Sequence, residues 1–295
     1  MQVVPFKQVD VFTARAFGGN PVAVVLDAER FDGSQMQHMA RWTNLSETAF
    51  VLPPTQPGAS YRVRIFTPMS ELPFAGHPSV GTAHALLEAG MLQGGGELLQ
   101  ECAAGLLPVT VRGQGHDRRI AVRAPRAKQI PTPTGTATLL DAALAGVNRG
   151  ALPPQLWDNG PRFWLVELAE PDDVRQHQPD LAAIAAFTTA TGAVGLVVHA
   201  AAQASDHQRV VRSYCPADGI AEDPVTGSAN ASIGEQLLAA GRLQVGERYV
   251  ASQDRELGRD GLVEVQLRED GVWIGGQSIT VIDGMLRWDG DDGSC

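Results

Sequence analysis

The sequence predicts an α+β protein made of two related halves, each a set of short strands with one prominent helix. Three observations carry this. Strand patterns far outnumber helix patterns, and the two do not alternate regularly enough for a doubly wound parallel sheet. Glycine (32 residues) and proline (19) supply turn formers above the usual share of a globular chain. A pair of motifs also recurs half a chain later, a period far too long for a solenoid.

The elements follow from local pattern. Val9–Thr13 reads as a strand, Gly18-Gly19 as a turn and Pro21–Leu26 as a second strand. Ser34–Trp42 reads as a helix, with Met36, Met39 and Trp42 expected in the core. Ala49–Leu52 and Tyr61–Phe66 are the next strands; in the latter Val63 and Ile65 share one face, Arg62 and Arg64 the other. A helix over Pro78–Glu88 is stopped by Gly90, and short strands resume to Val122. Pro125–Thr136, with three prolines and three threonines, is the expected linker. Strands then restart at Phe163–Leu168, Gly195–Ala200 and Val210–Tyr214. A helix over Pro224–Ala240 ends at Gly241, and strands close the chain at Glu264–Leu267, Val272–Ile274 and Ser278–Ile282.

The restart is a repeat. Val63-Arg64-Ile65-Phe66-Thr67-Pro68 stands 148 residues before Val211-Arg212-Ser213-Tyr214-Cys215-Pro216. His77-Pro78-Ser79-Val80-Gly81-Thr82-Ala83 matches Asp223-Pro224-Val225-Thr226-Gly227-Ser228-Ala229 at an offset of 146. Duplication into two domains explains both. The predicted boundaries are residues 1–126 and 127–280.

Composition excludes several classes. With 44% apolar and 19% charged residues the chain is globular rather than disordered. A formal charge of −10 and no basic cluster argue against nucleic acid and anionic membranes as partners. Cys102, Cys215 and Cys295 form no CxxC and no even framework, which removes a disulfide scaffold and a cysteine zinc site. No leader-like segment opens the chain and no window has the length of an apolar span, so a cytoplasmic protein is expected.

The repeat has two chemical readings. Proline suits the first position of a helix, which makes the preceding residue an N-cap, and Asp223 caps well. Histidine does not, so capping leaves His77 unexplained. Unlike ionisable groups at matching places in two halves can instead meet in the cleft between them, each at a helix N-terminus that attracts an anion. Gly81, Thr82, Gly227 and Ser228 are then expected on the first turns, near a bound carboxylate. Proton transfer needs a group that takes and returns a proton, and His77, Asp223 and Glu47 are the candidates.

Three motifs in order, Asn44-Leu45-Ser46-Glu47-Thr48-Ala49-Phe50, Glu71-Leu72-Pro73-Phe74-Ala75-Gly76-His77-Pro78 and Glu222-Asp223-Pro224-Val225-Thr226-Gly227-Ser228-Ala229, resemble the phenazine-biosynthesis PhzF-like family. The opening Val9-Asp10-Val11-Phe12-Thr13 and Gly19-Asn20-Pro21-Val22-Ala23-Val24 resemble it too, and the similarity runs to Ile282-Asp283-Gly284. The resemblance implies a diaminopimelate epimerase-like fold: two pseudo-symmetric domains, each a curled mixed sheet around a central helix, with the site between them and residues 281–295 returning to the first domain. It implies a cofactor-free, metal-free and often homodimeric isomerase that moves a proton within trans-2,3-dihydro-3-hydroxyanthranilate. Glu47 is then the acid/base. His77 and Asp223 bind polar groups of the substrate and set the charge state of Glu47, while Ser228 and the N–H groups of Gly76 and Gly227 hold its carboxylate. A non-catalytic binding member of the fold and an α-carbon epimerase or racemase are the alternatives. The related epimerases use two cysteines, which the matching motifs here lack, and Cys215 is expected as a small buried apolar residue.

Other signals have plainer readings. His77 and His84 lack the further ligands that zinc requires. Gly94-Gly95-Gly96 has no following Lys-Ser/Thr and reads as a turn, and neither GxGxxG nor GxSxG occurs. A Ser-His-Asp hydrolase lacks its strained serine turn. Arg64 and Arg212 are expected to face outward or brace the adjoining proline turns, although substrate contacts are the functional alternative. His116 is expected in a solvated hairpin turn, and Trp157 in domain packing.

Overall fold

The computed structural model describes residues 2–93 and 95–289; Gly94 and residues 290–295, Cys295 among them, lie outside the described residues. In chain order the elements are β1 (Gln2–Val11), β2 (Asn20–Val25), α1 (Gly33–Thr43), β3 (Thr48–Leu52), β4 (Tyr61–Phe66), β5 (Glu71–Leu72), α2 (Gly76–Glu88), β6 (Gly96–Cys102), β7 (Gly105–Arg112) and β8 (Arg119–Arg123). Then come β9 (Lys128–Ile130), α3 (Ala137–Ala143), β10 (Gln155–Asp158), β11 (Arg162–Glu167), α4 (Pro171–Arg175), α5 (Leu181–Thr191), β12 (Gly195–Ala201) and β13 (Arg209–Tyr214). The chain ends with α6 (Gly227–Ala239), β14 (Arg248–Gln253), β15 (Gly261–Arg268), β16 (Gly271–Gly276) and β17 (Ser278–Trp288). Two compact units result: residues 1–122 with 275–295, and residues 123–274.

Unit 1 is a mixed sheet in the order β17-β1-β2-β3-β4-β6-β7-β8. Its neighbours are antiparallel except for β2–β3 and β4–β6, which are parallel. The sheet wraps α2, which packs on β1, β2, β3, β4 and β17 and is buried without a break from His77 to Leu87. A helix covered all round needs no polar face, and that of α2 is correspondingly weak. On the other side of the sheet α1 packs Met36 and Met39 against Val4, Val25, Phe50 and Phe66. An Asp32–Gln35 capping box opens α1, and Asn44 closes it at φ 53°. Trp42 is 79% exposed, against its expected place in the core. Two steps of three residues carry a helical side chain roughly 120° round the axis, off the stripe that Met36 begins.

Unit 2 repeats this plan. Its pairings β9–β10 and β10–β11 are antiparallel, β11–β12 parallel, β12–β13 antiparallel, β13–β14 parallel and β14–β15 antiparallel. Here α6 is the central helix, packed on β11 and β15, while Trp164, Phe187, Leu196 and Tyr214 build the outer core. The segment expected as a linker is therefore structured: Lys128–Ile130 pairs with Leu156–Asp158, and Thr136 is the N-cap of α3. Backbone pairing satisfies that strand's polar groups in a way its proline-rich composition does not announce.

The repeat has a sharper register in space than in sequence. Both central helices have 13 residues, with N-caps Ala75 and Thr226 and a following left-handed glycine, Gly90 (φ 70°) and Gly241 (φ 67°). These positions all lie 151 residues apart, against 148 for the preceding strands, because the β13-to-α6 connection is three residues longer. Gly76 thus corresponds to Gly227, and His77 to Ser228 rather than to Asp223. Among the described residues no helix is long and apolar enough to cross a membrane.

Candidate active site

In unit 1 the candidate groups converge on the first turn of α2. Glu47 sits between the end of α1 and the start of β3, where the left-handed turn at Asn44 redirects the chain. Its Oε2 lies 3.3 Å from Nε2 of His77, with the two side chains 16% and 8% exposed. His77 is the second residue of α2, not the residue before it. The N-cap is Ala75, whose carbonyl accepts from the Ser79 amide and hydroxyl. From the other side, Asn20 Nδ2 lies 3.4 Å from His77 Nδ1. Burial pushes His77 down to about 3, only partly offset by its hydrogen bond to the Pro21 backbone. The ring is therefore neutral at ordinary pH.

In unit 2 Asp223 stands four residues ahead of α6 and does not cap it, because the chain makes another turn before the helix begins at Gly227. The Thr226 hydroxyl donates to Asp223 Oδ2 at 2.6 Å, and the Asp223 amide donates to the Ser213 carbonyl at 2.8 Å. Gln253 secures the same turn: its Nε2 reaches the Asp223 carbonyl and Thr226 Oγ1, while its Oε1 accepts from the Thr226 amide and Asn230 Nδ2. Poor solvation raises Asp223 to about 6, against the Thr226 hydrogen bond and the Arg259 charge. Asp254, fully buried at φ 78°, accepts from the Val225 amide at 2.7 Å. Burial raises it to about 7. Gly227 and Ser228 occupy the first two positions of α6, and Asn159 Nδ2 donates to the Ser228 carbonyl at 2.8 Å.

A common device holds the two helix starts. In α2, Ser79 bonds the N-cap carbonyl and is held by Gln100 Nε2 at 2.9 Å. In α6, the corresponding Asn230 bonds the Thr226 carbonyl at 3.0 Å and is held by Gln253. A strand glutamine behind each helix thus replaces side-chain capping, and a one-residue motif search does not see it. Asn20, Asn159, Gln253 and Asp254 also contact these helix starts, and none is among the residues that the sequence predicts for the site. Only Asn20, inside the Gly19-Asn20-Pro21 motif, had a sequence signal.

Gly81 and Thr82 do not lie at the anion-attracting end. They are on the second turn, where Gly81 faces Val22 and Val11 of the sheet and Thr82 is fully buried. Arg64 and Arg212 brace their turns as two-pronged partners of Glu71 (2.7 and 2.7 Å) and Glu222 (2.8 and 2.8 Å), each also lying over the aromatic ring two residues on. Cys215 is buried beside Gly195, and burial pushes its thiol up to about 12. His116 is exposed, and Trp157 is a buried residue of β10. Among the described residues no three His, Cys, Asp or Glu side chains group as metal ligands.

The chain matches the family model for phenazine biosynthesis-like proteins over residues 9–284. It is 36% identical over 256 residues to trans-2,3-dihydro-3-hydroxyanthranilate isomerase of Pseudomonas aeruginosa, covering 85% of this chain and 86% of that one. It is 33% identical over 289 residues to antisense-enhancing sequence 1 of Schizosaccharomyces pombe, covering 95% and 97%. Among solved structures, a PhzF-family protein of Bacillus anthracis superposes with a TM-score of 0.84 at 23% identity, covering 98% of this chain and all of that one. A predicted epimerase of P. aeruginosa gives 0.77 at 28%, covering 97% and 99%. The chain belongs to the phenazine biosynthesis-like family, with the epimerase-like fold, and it is an isomerase.

Proposed function

We propose that the protein is a cofactor-independent isomerase that moves a proton within a small, unsaturated, carboxylate-bearing ring of the trans-2,3-dihydro-3-hydroxyanthranilate type. The observation that carries the reading is the Glu47–His77 pair: a carboxylate 3.3 Å from an imidazole held neutral by burial. Glu47 takes a proton from one ring carbon, the double bonds shift, and the same proton returns to another carbon. No electrons are gained or lost, so the step needs no redox partner. Because His77 is neutral, it stands beside the carboxyl group without adding a charge. His77 and Asp223 bind polar groups of the substrate, and Asp223, raised toward neutrality, can offer it a proton-bearing carboxyl. Ser228 and the first-turn amides of Gly76 and Gly227 hold the substrate carboxylate.

The duplicated fold favours one shuttle over the two bases of an epimerase. Glu47 immediately precedes β3, and the residue immediately before the corresponding β12 is Val194, which carries no proton. A cytoplasmic homodimer belongs to the same proposal, with sedimentation and cell fractionation as its checks. The reaction is tested by proton NMR of trans-2,3-dihydro-3-hydroxyanthranilate in deuterated buffer. Wild type is expected to consume it, and Glu47→Gln to be slower by roughly 10²–10⁴-fold. Turnover within a few-fold of wild type in the variant removes Glu47 as the base, and an inert wild type removes the substrate class.

A further inference from the structure

The two units treat the second residue of their central helix alike. Each sends an asparagine from its opening hairpin to that residue: Asn20 to the His77 ring in α2, and Asn159 to the Ser228 carbonyl in α6. Asn20 is 2% exposed at the start of β2, so its amide is buried beside the His77 ring. Its Nδ2 can only donate, and the atom it faces, His77 Nδ1 at 3.4 Å, can accept only when that nitrogen carries no hydrogen. The other ring nitrogen, Nε2, is the one 3.3 Å from Glu47. A competing partner is present as well. The Pro21 carbonyl also bonds the ring and can only accept, which favours a hydrogen on the imidazole nitrogen it meets.

We propose that Asn20 is a positioning residue that decides which nitrogen of His77 carries the hydrogen, keeping it on Nε2, the nitrogen 3.3 Å from the Glu47 carboxyl group. The inference rests on Glu47 being the proton shuttle for its kinetic consequence, but not for its structural content. With hydrogen on Nε2, His77 stabilises ionised Glu47, the form that can remove a proton. With hydrogen on Nδ1, the bare Nε2 demands a protonated Glu47, and the enzyme starts its cycle without a base. A histidine held in the wrong tautomer loses much of its catalytic value without any change of fold.

The test is two-bond proton–nitrogen correlation NMR of the full chain labelled with ¹⁵N-histidine, the His77 signal being identified by its loss in His77→Gln. Wild type is expected to show hydrogen on Nε2. Asn20→Ala removes the donor, and Asn20→Asp replaces it with an acceptor, so both are expected to move the hydrogen to Nδ1 while the other histidine signals stay in place. Turnover in both variants is expected to fall about tenfold or more in kcat, with KM changed far less. Hydrogen on Nδ1 in wild type, or the same tautomer in wild type and variants, overturns the proposal, and wild type alone suffices for the first of these. A tautomer that moves as expected in a protein inert toward the dihydroanthranilate upholds the role of Asn20 and rejects the substrate instead.

Discussion

Burial, more than any ion pair, sets the charge of the candidate residues, and it works in opposite directions on His77 and Asp223. A buried imidazole loses its proton more easily, and a poorly solvated carboxyl keeps it longer. For Asp223 the sign follows directly. Its native value is about 6 against 3.8 for the free group, so the native state binds the extra proton. Its stabilising contribution is fully present below about 3.8 and is lost as the pH rises through about 6. Asp223→Asn, which keeps an oxygen for the Thr226 hydroxyl, is therefore expected to stabilise the protein by about 1–3 kcal/mol at pH 7.5 and hardly at all at pH 4. Urea denaturation at the two pH values checks this; an equal gain at both assigns the effect to something other than the carboxyl charge. At this scale the sequence supplied Glu47, His77 and Asp223 through their motifs. It gave no role to Asn20, because the contact joins residues 57 apart that meet only when β2 and α2 pack together.

The central helices are held where two elements come close. Gly81 is the sixth residue of α2, and a Cβ there would stand 2.5 Å from Val22 Cγ1 and 3.0 Å from Val11 Cγ2. Alanine is the better helix former by ~1 kcal/mol, yet overpacking against two branched strand residues costs more. Gly81→Ala is accordingly expected to destabilise unit 1 by about 1–3 kcal/mol and to lower turnover by displacing the turn that carries Gly76 and His77. A variant as stable as wild type in denaturant would mean that helix and sheet do not approach so closely. Sequence pattern identified α2 as a helix to within two residues at its start. It placed Gly81 at the anion-attracting end because a Gly-Thr pair after proline looks the same on a first turn or a second. The helices α3, α4 and α5 are not legible in the sequence pattern. The apolar run Leu181–Phe187 has no polar face to betray its period, and the other two are only seven and five residues long.

Across the whole molecule, the last strand belongs to the unit that begins the chain. β17 pairs with β1 from Gln2 to Val11, and its Asp283 joins Glu88 in holding the buried Lys7, at 2.7 and 2.9 Å. A chain ending at Gln277 leaves β1 as a bare edge and Lys7 with one of its two carboxylates. Such a protein is expected to aggregate or to lose the cooperative melt of unit 1, which circular dichroism and limited proteolysis would follow. A melting temperature within a few degrees of wild type would show that β17 is dispensable.

By itself the sequence determined the α+β class and the duplication, and it offered three candidate residues borne on motifs, Glu47, His77 and Asp223, because strand alternation, turn residues and motifs are local properties of the chain. The tertiary structure alone decided how the copies correspond. Sequence aligns His77 with Asp223, since proline, glycine and a hydroxyl recur after each. Folding aligns it with Ser228, since the longer β13-to-α6 connection moves the second helix start three residues downstream of the strand register. Tertiary contact likewise assigned Gln100 and Gln253 to the helix starts and made a strand of the proline-rich segment after β8. Each of those facts depends on groups far apart in sequence satisfying one another's hydrogen bonds, which no local pattern records.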